Sequence, residues 1–449
     1  MLFLGKTIAI SIGYIYNILD NFKFVNTEEI KMKVLVVNAG SSSLKYQLLN
    51  TETKEVLGKG ICERIGMEGS LIDHKKGDGE KRIKKEIPMK DHAVATEIVV
   101  NMLTDKEYGC ISDMSEIEAV GHRVVHGGTY FFDSCLVTDE VLDAVKKCIE
   151  FAPLHNPANL MGIEGCTKVM PNVPQVAVFD TAFHQSMAPA AYTYPLPMKV
   201  VEDGIRRYGM HGTSHKFVSI EMNKILGTDA TKLVTCHIGN GSSISAVKNG
   251  KCVDTTMGFT PLDGVEMGTR CGSIDPAIVP FLMKKYNMSI DRVTDFMNKE
   301  CGFLGVSEYS SDSRDIEAAI RGEFDEKLST CPKTEEQKAR ISKNAKLAAE
   351  ILAYQVKKYI GSYAASMNGL DAVVFTAGMG ENNPELRERV CTDMEFLGIK
   401  IDKELNAKTL RQPNTVEIST PDSKVKVYVL PTNEELMIAL DTEKIVSAK

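Results

Sequence analysis

The amino-acid sequence predicts an α/β protein made of two similar halves that face each other across a central cleft. Two observations support this: short apolar runs alternate with amphipathic segments, and one plan of strand, Gly/Ser turn and strand occurs twice. The copies read VLVVNAGSSSLKYQLL and LVTCHIGNGSSISAVK, and their turns start at Asn38 and His237, 199 residues apart. Because ligands prefer clefts between domains, facing halves predict a binding site between them.

The composition narrows the class of protein further. The chain has 449 residues, a formal net charge of −7 and 43% hydrophobic residues, which is typical of a globular protein of two or three domains. Its mild acidity argues against nucleic acid or an anionic membrane as the main partner. The 11 cysteines include no CxxC pair, which argues against a disulfide framework or a thiolate zinc site and favours a cytoplasmic location.

Residues 1–31 form an extension with three interpretations. The apolar stretch 7–19 is too short to span a bilayer. It resembles the apolar part of a signal peptide, but residues 21–33 are charged and offer no small-residue cleavage site. Its alternating isoleucines would also suit a strand. The third interpretation, which we favour, is that the native product starts at Met32, where a clean strand begins.

The first half is predicted to begin with a hairpin. Lys33 to Val37 is a continuous apolar run, typical of a buried strand, and the small residues after it predict a turn. Apolar residues recur at helical spacing between Thr138 and Glu150, and another apolar run ends at Asp180. The predicted strands are 33–37, 44–49, 55–62 and 174–179, and the predicted helix is 138–150.

The second half repeats this plan. Its predicted strands are 233–236, 244–247, 251–255 and 372–376, and its predicted helix is 345–367. Residues 323–346 hold many charges and a proline, which predicts an exposed insertion. We place the boundary near 181–186 and expect domains at 32–182 and 183–436, with 437–449 packing on the first domain.

The paired Gly/Ser turns predict a nucleotide-binding protein. A phosphate chain needs several backbone N–H donors, and only glycine and small residues let the backbone come close enough. One such turn usually just connects strands, but two in equivalent positions and a third at Gly378 favour phosphate binding. The chain has no GxxxxGK[ST] motif and no GxGxxG after a strand, so P-loop and dinucleotide folds are disfavoured.

Ten motifs, in order, resemble the acetate kinase family of the actin/Hsp70/sugar-kinase superfamily, over residues 32–445. They are VNAGSSSLKYQL (37–48), GHRVVHGG (121–128), APLHNP (152–157), FDTAFH (179–184), RRYGMHGTSH (206–215), HIGNGSS (237–243), MGTRCG (267–272), SSDSRD (310–315), FTAGMGEN (375–382) and PTNEEL (431–436). The resemblance implies two RNase H-like, actin-like domains, with the acyl substrate on the first and the nucleotide on the second. It also implies a homodimeric enzyme that reversibly transfers the γ-phosphoryl group of ATP to acetate.

Such a transfer brings anions together, so catalysis requires positively charged side chains and accurate positioning of the reactants. Arg123 and Arg270 lie in Gly/His-flanked turns, and an arginine can hold a carboxylate or a planar phosphoryl group bidentately. The resemblance implies that Arg123 contacts the acyl substrate, Arg270 stabilises the transition state and His211 stabilises the transferring phosphoryl group. The i,i+4 spacing of His211 and His215 invites a zinc interpretation, but the neighbouring Gly212 argues against a shared helical face.

Asp180 has two candidate roles. The resemblance implies a proton donor or acceptor, yet a carboxylate substrate is already ionised near neutral pH, so no proton need be removed. Asp180 could instead hold Mg²⁺ through water. Asn38 and Glu434 match the magnesium positions of the family, and hard oxygen ligands suit Mg²⁺, for which Mn²⁺ is a substitute.

The remaining site residues follow from the resemblance. The implied nucleotide contacts are Lys45, His237, Ile238, Gly239, Asn240, Gly241, Asp312, Ser313, Arg314, Gly378, Met379, Gly380, Glu381 and Asn382. The implied acyl pocket is Arg123, Val125, Leu154, Met210 and Pro261. Small residues at Ala377 and Gly378 favour ATP over pyrophosphate as the donor. Met210 replaces a usual phenylalanine and Ser313 a usual aromatic residue, which bears on acyl-chain and nucleotide preference.

Two alternatives stay open. A propionate or butyrate kinase would share this chemistry, although the stiff, β-branched Val125 predicts acetate first, then propionate, then butyrate. An Hsp70-like ATPase would need a peptide-binding module, for which no residues are left.

Overall fold

The structure is a computed structural model that describes residues 32–77, 79 and 81–448. The interpretations of residues 1–31 therefore lie outside the described residues. Two mixed sheets, of eight and six strands, carry helices on their faces, which confirms the predicted α/β class. No helix in the described part of the chain is long and apolar enough to cross a membrane.

The first sheet has the strand order β5-β4-β3-β2-β1-β6-β8-β7. Its first five strands form an antiparallel meander, whereas β6 and β8 continue the sheet parallel to β1. The strands are β1 (Lys33–Gly40), β2 (Ser43–Asn50), β3 (Val56–Glu63), β4 (Leu71–Lys76), β5 (Lys81–Glu86), β6 (Ala119–Val124), β7 (Cys135–Leu136) and β8 (Gln175–Phe179).

The second sheet has the strand order β11-β10-β9-β12-β14-β13. Its strands are β9 (Lys232–Ile238), β10 (Ser242–Lys248), β11 (Lys251–Thr255), β12 (Ala372–Thr376), β13 (Val416–Glu417) and β14 (Lys426–Val429). Both sheets thus share one core: three antiparallel strands, two further strands parallel to the first, and an antiparallel strand at the edge. In this correspondence β12 matches β6, so the turns at Asp180 and Gly378 follow strands at different positions in the two sheets.

Fifteen α-helices lie in the described residues. They are α1 (His92–Leu103), α2 (Asp139–Lys147), α3 (Asn156–Val169), α4 (Pro189–Tyr192), α5 (Met198–Glu202), α6 (Gly212–Leu226), α7 (Ile278–Tyr286), α8 (Ile290–Lys299), α9 (Gly302–Ser307), α10 (Ser313–Ile320), α11 (Glu335–Met367), α12 (Ala377–Asn382), α13 (Pro384–Cys391), α14 (Lys403–Lys408) and α15 (Glu434–Ser447). Short 3₁₀ turns cover Met114–Glu116, Cys148–Glu150, Ala182–Ser186 and Glu395–Leu397.

The longest helix corrects one sequence prediction. Residues 323–346 are not wholly an exposed insertion, because α11 begins ten residues before the predicted start at 345. The side chain of Thr334 accepts the backbone N–H of Gln337, and the side chain of Gln337 accepts the backbone N–H of Thr334. These two hydrogen bonds form a capping box. Ile341 is buried, so this charged segment presents an apolar face to the core. The charges lie on the opposite face of an amphipathic helix.

The last helix joins the two halves. Helix α15 packs on β6, β1 and β8 of the first sheet and on α6, within one apolar cluster that includes Val34, Val178, Leu233 and Val374. A Cβ atom on Gly121 would lie 2.4 Å from Oγ1 of Thr442, so only glycine lets this helix approach β6 so closely. The packing brings Glu434, the first residue of α15, toward the strand ends that carry the candidate site.

Candidate active site

Arg123 and Asp180 lie together at the carboxyl ends of two parallel strands. Arg123 is near the end of β6, and Asp180 follows β8, whose Val178 is paired with Arg123. Nη2 of Arg123 donates to Oδ2 of Asp180 at 2.7 Å, and Nε donates to both carboxylate oxygens at 3.2 Å. The Asp180 side chain is only 3% exposed, and its charge raises the pKa of Arg123. The two opposite charges therefore largely cancel.

The predicted metal residues lie beside this pair. Asn38 lies on β1, where the parallel pairing of Val37 with His122 places it next to Arg123. Burial raises the pKa of Glu434 to about 7, Arg123 partly opposes this and Asp180 adds to it. Asn38 and Lys45 face each other across the first hairpin and line a groove of about 280 Å³ together with Glu435. Lys45 therefore lies on the first half and not in the nucleotide cavity described below.

These oxygens suit a hard cation only in part. In the described residues, no group of three or more His, Cys, Asp or Glu side chains is arranged to hold a metal ion. The carboxylates of Glu434 and Asp180 would repel each other less with a divalent cation between them, because Asp180 adds to the effect of burial that raises the pKa of Glu434. Mg²⁺ usually takes one or two carboxylates and completes its shell with water and phosphate. The donor set therefore fits Mg²⁺ that arrives with a nucleotide.

His211 is fixed at the start of helix α6 by its backbone and its ring. Its φ of 60° lies in the left-handed region, which is uncommon for a residue other than glycine and recurs at functional sites. Its ring stacks on His237 with centroids 4.1 Å apart. Burial, together with the neighbouring His237 and His215, lowers its pKa well below the usual 6.5. His211 is therefore a neutral imidazole at neutral pH.

A chain of hydrogen bonds connects His211 to Thr235. Ser243 Oγ lies 2.9 Å from Nδ1 of His211 and 2.7 Å from Nε2 of His215, while Nδ1 of His215 lies 2.7 Å from Oγ1 of Thr235. Two arrangements satisfy these contacts: donation can run from Thr235 through His215 and Ser243 to His211, or in the reverse direction. In the first arrangement the proton of His211 is on Nε2, and that N–H is free to donate.

Arg270 contributes a cation without a carboxylate partner. Its Nη1 donates to the carbonyl of Pro261 at 3.3 Å and contacts Sδ of Met267 at 3.8 Å. Within residues 32–448 as described, no Asp or Glu forms a salt bridge with it. A Cβ atom on Gly241 would lie 3.5 Å from this Nη1 and 3.7 Å from Nε2 of His211. The guanidinium and the imidazole therefore converge on the glycine turn between β9 and β10.

The structure brings together only some of the residues predicted for the acyl pocket. Val125 and Met210 belong to one small buried apolar cluster, which also contains Ala152, Met257 and Met267. Pro261 joins this region through its carbonyl bond to Arg270. Leu154 is 76% exposed and does not belong to the cluster.

A cavity of about 720 Å³ brings together most of the predicted nucleotide contacts. Those that line it are Gly239, Asn240, Asp312, Ser313, Arg314, Gly378, Met379 and Asn382. A Cβ atom on Gly378 would meet nothing within 4 Å, so this residue faces open space. Nε of Arg314 donates a hydrogen bond to the carboxylate of Asp312, and the same carboxylate caps the N-terminus of helix α10. The cavity opens between the second hairpin, α10 and α12.

Five other predicted contacts do not line this cavity. Their environments differ. Ile238 is fully buried. His237, whose ring stacks on that of His211, forms a hydrogen bond between its Nδ1 and Oγ of Ser214 at 2.8 Å. Glu381 accepts the backbone N–H groups of Ala377 and Thr432, so its carboxylate ties two loops together. Gly241 lies beside Arg270, as described above. The fifth, Gly380, packs on the carbonyl of Cys236, where a Cβ would lie 3.4 Å from that oxygen.

Several residues of the site carry no sequence signal that we recognised. Ser243 stands in the HIGNGSS motif, but only the structure shows its hydroxyl between two imidazoles. Met257 and Met267 are far from Val125 in the chain, and a buried methionine is usually only a core residue. Arg411 and Arg321, of which Arg321 forms a salt bridge with Glu323, also line the cavity, yet each is an isolated arginine in the sequence. Arg411 lies in the loop after α14, which no motif marks.

Comparison with known proteins agrees with this geometry. Residues 33–440 match the model of the acetokinase family. The acetate kinase of Thermoanaerobacterium thermosaccharolyticum is 55% identical over 421 residues, which cover 93% of this chain and 100% of that protein. The acetate kinase of Caldanaerobacter subterraneus subsp. tengcongensis is 54% identical over 418 residues, or 92% and 99% of the two chains.

Solved structures give the same result. The crystal structure of Porphyromonas gingivalis acetate kinase is 45% identical, covers 92% of this chain and 100% of its own, and superposes with a TM-score of 0.85. A propionate kinase from Francisella tularensis is 38% identical over the same shares, with a TM-score of 0.81. These likenesses span both sheets and the cleft. The chain belongs to the acetokinase family.

Proposed function

We propose that this protein is an ATP:acetate phosphotransferase, which reversibly forms acetyl phosphate and ADP. The observation that carries the proposal is the half-buried Arg270 guanidinium, which has no acidic partner in the described residues and points with His211 at a glycine turn. An uncompensated cation beside backbone N–H groups suits the charge that develops on a transferring phosphoryl group.

The reaction needs little covalent chemistry from the chain. A carboxylate oxygen of acetate attacks the γ-phosphorus while the bond to the β,γ-bridging oxygen breaks, and ADP leaves with that electron pair. Arg270 supplies positive charge to the equatorial phosphoryl oxygens. The Nε2–H of neutral His211 donates to one of them in the tautomer that this proposal requires. Donation from Ser243 to Nδ1 of His211 would keep this proton on Nε2.

Arg123 is proposed to hold the acetate carboxylate. Nε and Nη2 of Arg123 donate to Asp180, which leaves Nη1 for a further acceptor. Asp180 would thus orient this guanidinium and accept no proton from a substrate that is already ionised. Glu434 and Asn38, with Asp180 through water, would hold Mg²⁺, which supplies charge neutralisation at the phosphates when bound.

Acetate is the acceptor that the apolar cluster supports best. Val125, Met210, Met257 and Met267 are all buried and leave a small apolar wall beside Arg123 and Arg270. A methyl group fits such a wall, whereas each methylene that does not fit forfeits about 0.8 kcal/mol of burial. Propionate stays the second candidate, because methionines adapt and a structural relative is a propionate kinase.

ATP is the proposed phosphoryl donor. The 720 Å³ cavity is large enough for a nucleotide, and the open space at Gly378 leaves room for an adenosine. Arg321 and Arg411 would face the phosphates or the ribose from the cavity wall.

We also propose that the protein is a cytoplasmic homodimer. All 11 cysteines are free, as a reducing compartment requires. Helix α7 has no buried residue although it is rich in apolar side chains: Phe281 is 60% and Tyr286 57% exposed, and Ile290 at the start of α8 is exposed as well. A second copy of this chain would cover these side chains. Sedimentation of wild type and Phe281→Lys tests this, since the variant should be monomeric.

A hydroxamate assay tests the proposed activity. Purified protein with ATP, Mg²⁺ and acetate should form acetyl phosphate, with propionate several-fold weaker and butyrate poor. Equal or better rates with propionate would make it a propionate kinase. Slow ATP hydrolysis that acetate does not change would instead indicate an Hsp70-like ATPase.

A further inference from the structure

Two thiols lie directly beside the turn that carries Arg270. Cys271 follows Arg270, and Cys301 precedes helix α9. Backbone hydrogen bonds hold the two segments together: the N–H of Cys301 donates to the carbonyl of Thr269 at 3.0 Å, and the N–H of Cys271 donates to that of Met297 at 3.1 Å. Both thiols are partly exposed, and the Cys271 thiol donates to the carbonyl oxygen of Gly272 at 3.1 Å.

The two thiols are chemically unequal. The neighbouring Cys301 thiol lowers the pKa of Cys271, whereas Cys271 raises the pKa of Cys301. By contrast, burial raises the pKa of Cys62 and Cys166 to about 12. Because the thiolate is the reactive form of cysteine, Cys271 is the residue of the pair poised to attack.

We infer that Cys271 and Cys301 are a redox modification site, at which a small organic disulfide converts the dithiol to a disulfide and switches off Arg270. No other role for these two residues follows from the reaction proposed above. The chemical part of the inference is independent of the proposed function, whereas the loss of activity rests on it.

The electron balance is that of ordinary thiol–disulfide exchange. The Cys271 thiolate attacks one sulfur of the small disulfide, the S–S bond breaks, and one thiol leaves. Cys301 then loses its proton to solvent and attacks the Cys271 sulfur of the mixed disulfide, which expels the second thiol. The protein pair loses two electrons, and the small disulfide gains them and two protons.

The new bond would displace the catalytic turn. A disulfide fixes an S–S distance of about 2.05 Å and a Cα–Cα distance of about 4.4–6.8 Å, so it would constrain the two segments that carry the cysteines. They have no slack, because a Cβ atom on Gly302 would already lie 2.0 Å from the carbonyl oxygen of Met267 and 2.8 Å from that of Arg270. The Arg270 turn must therefore shift, and a displacement of about 1 Å can cost about 10²-fold in rate.

The test uses the full-length protein with oxidised glutathione, followed by intact mass and peptide mapping. Wild type should lose two hydrogens with no glutathione adduct, and a peptide containing Cys271 should be joined to one containing Cys301. Acetyl phosphate formation should fall at least tenfold, mainly in kcat, and dithiothreitol should restore it.

Three variants make the result decisive. Cys271→Ser should keep full activity in the oxidant, Cys301→Ser should instead retain a glutathione adduct at Cys271, and Cys331→Ser, a matched partly exposed cysteine, should behave as wild type. Absence of the 271–301 linkage, or a linked protein within twofold of reduced activity, overturns the inference. If acetate-dependent activity is absent even in the reduced protein, the proposed function fails, and the mass measurements still decide whether the disulfide forms.

Discussion

The two halves share a strand plan but carry different chemistry at their strand ends. In the first half, Arg123 at the end of β6 is bonded to Asp180 after β8, and both are largely withdrawn from solvent. In the second half, the matching β12 is followed by Ala377 and Gly378, and Gly378 faces open space. The guanidinium of Arg270, which has no carboxylate partner in the described residues, lies beside that half's glycine turn.

This difference shows how one duplicated scaffold can bind two anions in different ways. A paired arginine offers directed N–H groups without much net charge, which suits positioning of a small carboxylate. An unpaired arginine offers net charge, which suits a phosphoryl group whose charge is redistributed in the transition state. The small residues of the second half leave the volume that a nucleotide needs. The following predictions test this division of labour.

The largest effect is expected from removal of the unpaired cation. Arg270→Ala should lower kcat by about 10³-fold or more, by analogy with charge-stabilising arginines in phosphoryl transfer. The melting temperature should change little, because Arg270 forms no salt bridge in the described residues. Steady-state kinetics and calorimetry measure both quantities. A loss in kcat below tenfold would show that this charge is not used in the transition state.

The paired arginine should behave differently. Arg123→Ala leaves the buried Asp180 carboxylate without its partner, so we expect the free energy of unfolding to fall by about 3 kcal/mol, in addition to a loss of activity. The double variant Arg123→Ala/Asp180→Ala serves as the control and should recover part of that stability. Urea unfolding measures all three proteins. Equal stability of Arg123→Ala and wild type would contradict the contrast between the two arginines.

The halves also differ in how they bury a carboxyl group. Glu266 of the second half is 2% exposed and forms no salt bridge in the described residues, and burial raises its pKa to about 8 against a smaller effect of the Leu352 N–H. The folded state therefore retains a proton that the unfolded chain releases above pH 4.5. Its contribution to stability is full below pH 4.5 and is lost as pH rises to about 8.

Glu266→Gln should remove this pH dependence. Relative to wild type, the variant should gain about 2 kcal/mol of unfolding free energy between pH 5 and pH 8.5, after discount for relaxation around the buried group. Paired urea titrations at the two pH values give this double difference, in which other titrating groups cancel. A difference near zero would mean that Glu266 finds a partner on folding.

The smallest effect concerns the acyl wall. Val125→Ala should raise kcat/KM for propionate relative to acetate by several-fold, because it opens one side of the apolar cluster. Leu154→Ala is the matched control and should leave the ratio unchanged, since Leu154 is exposed. If the two variants gave the same ratio as wild type, chain-length selection would not depend on Val125.

The sequence predicted the hairpins well and the polar strands poorly. The apolar runs of β1, β8, β9 and β12 are buried on both faces, so their strand character is visible locally. Strand β5 (KRIKKE) escapes prediction because it is a charged strand at the edge of the sheet. Strand β6 escapes because His122 and Arg123 interrupt it, and only pairing with β1 and β8 makes it a strand.

Some residues of the candidate site could likewise be named from the sequence, and others could not. Arg123, Asp180 and Arg270 stand in distinctive motifs, so the sequence was enough to name them, and their roles remain predictions. The apolar wall from Met257 and Met267 and the relay through Ser243 depend on contacts between segments far apart in the chain. Leu154 shows the reverse: its motif names it, yet the structure leaves it outside the cluster. Motifs identify charged groups more reliably than they identify packing.

A crystal structure with a non-hydrolysable ATP analogue, Mg²⁺ and acetate would test the division between the halves most directly. We expect the adenosine in the cavity that Asn240, Asp312 and Gly378 line, the γ-phosphate between Arg270 and His211, and the acetate carboxylate on Arg123 with its methyl group against Val125. Nucleotide density in the groove of Asn38 and Lys45 on the first half, or acetate on Arg270, would contradict the account.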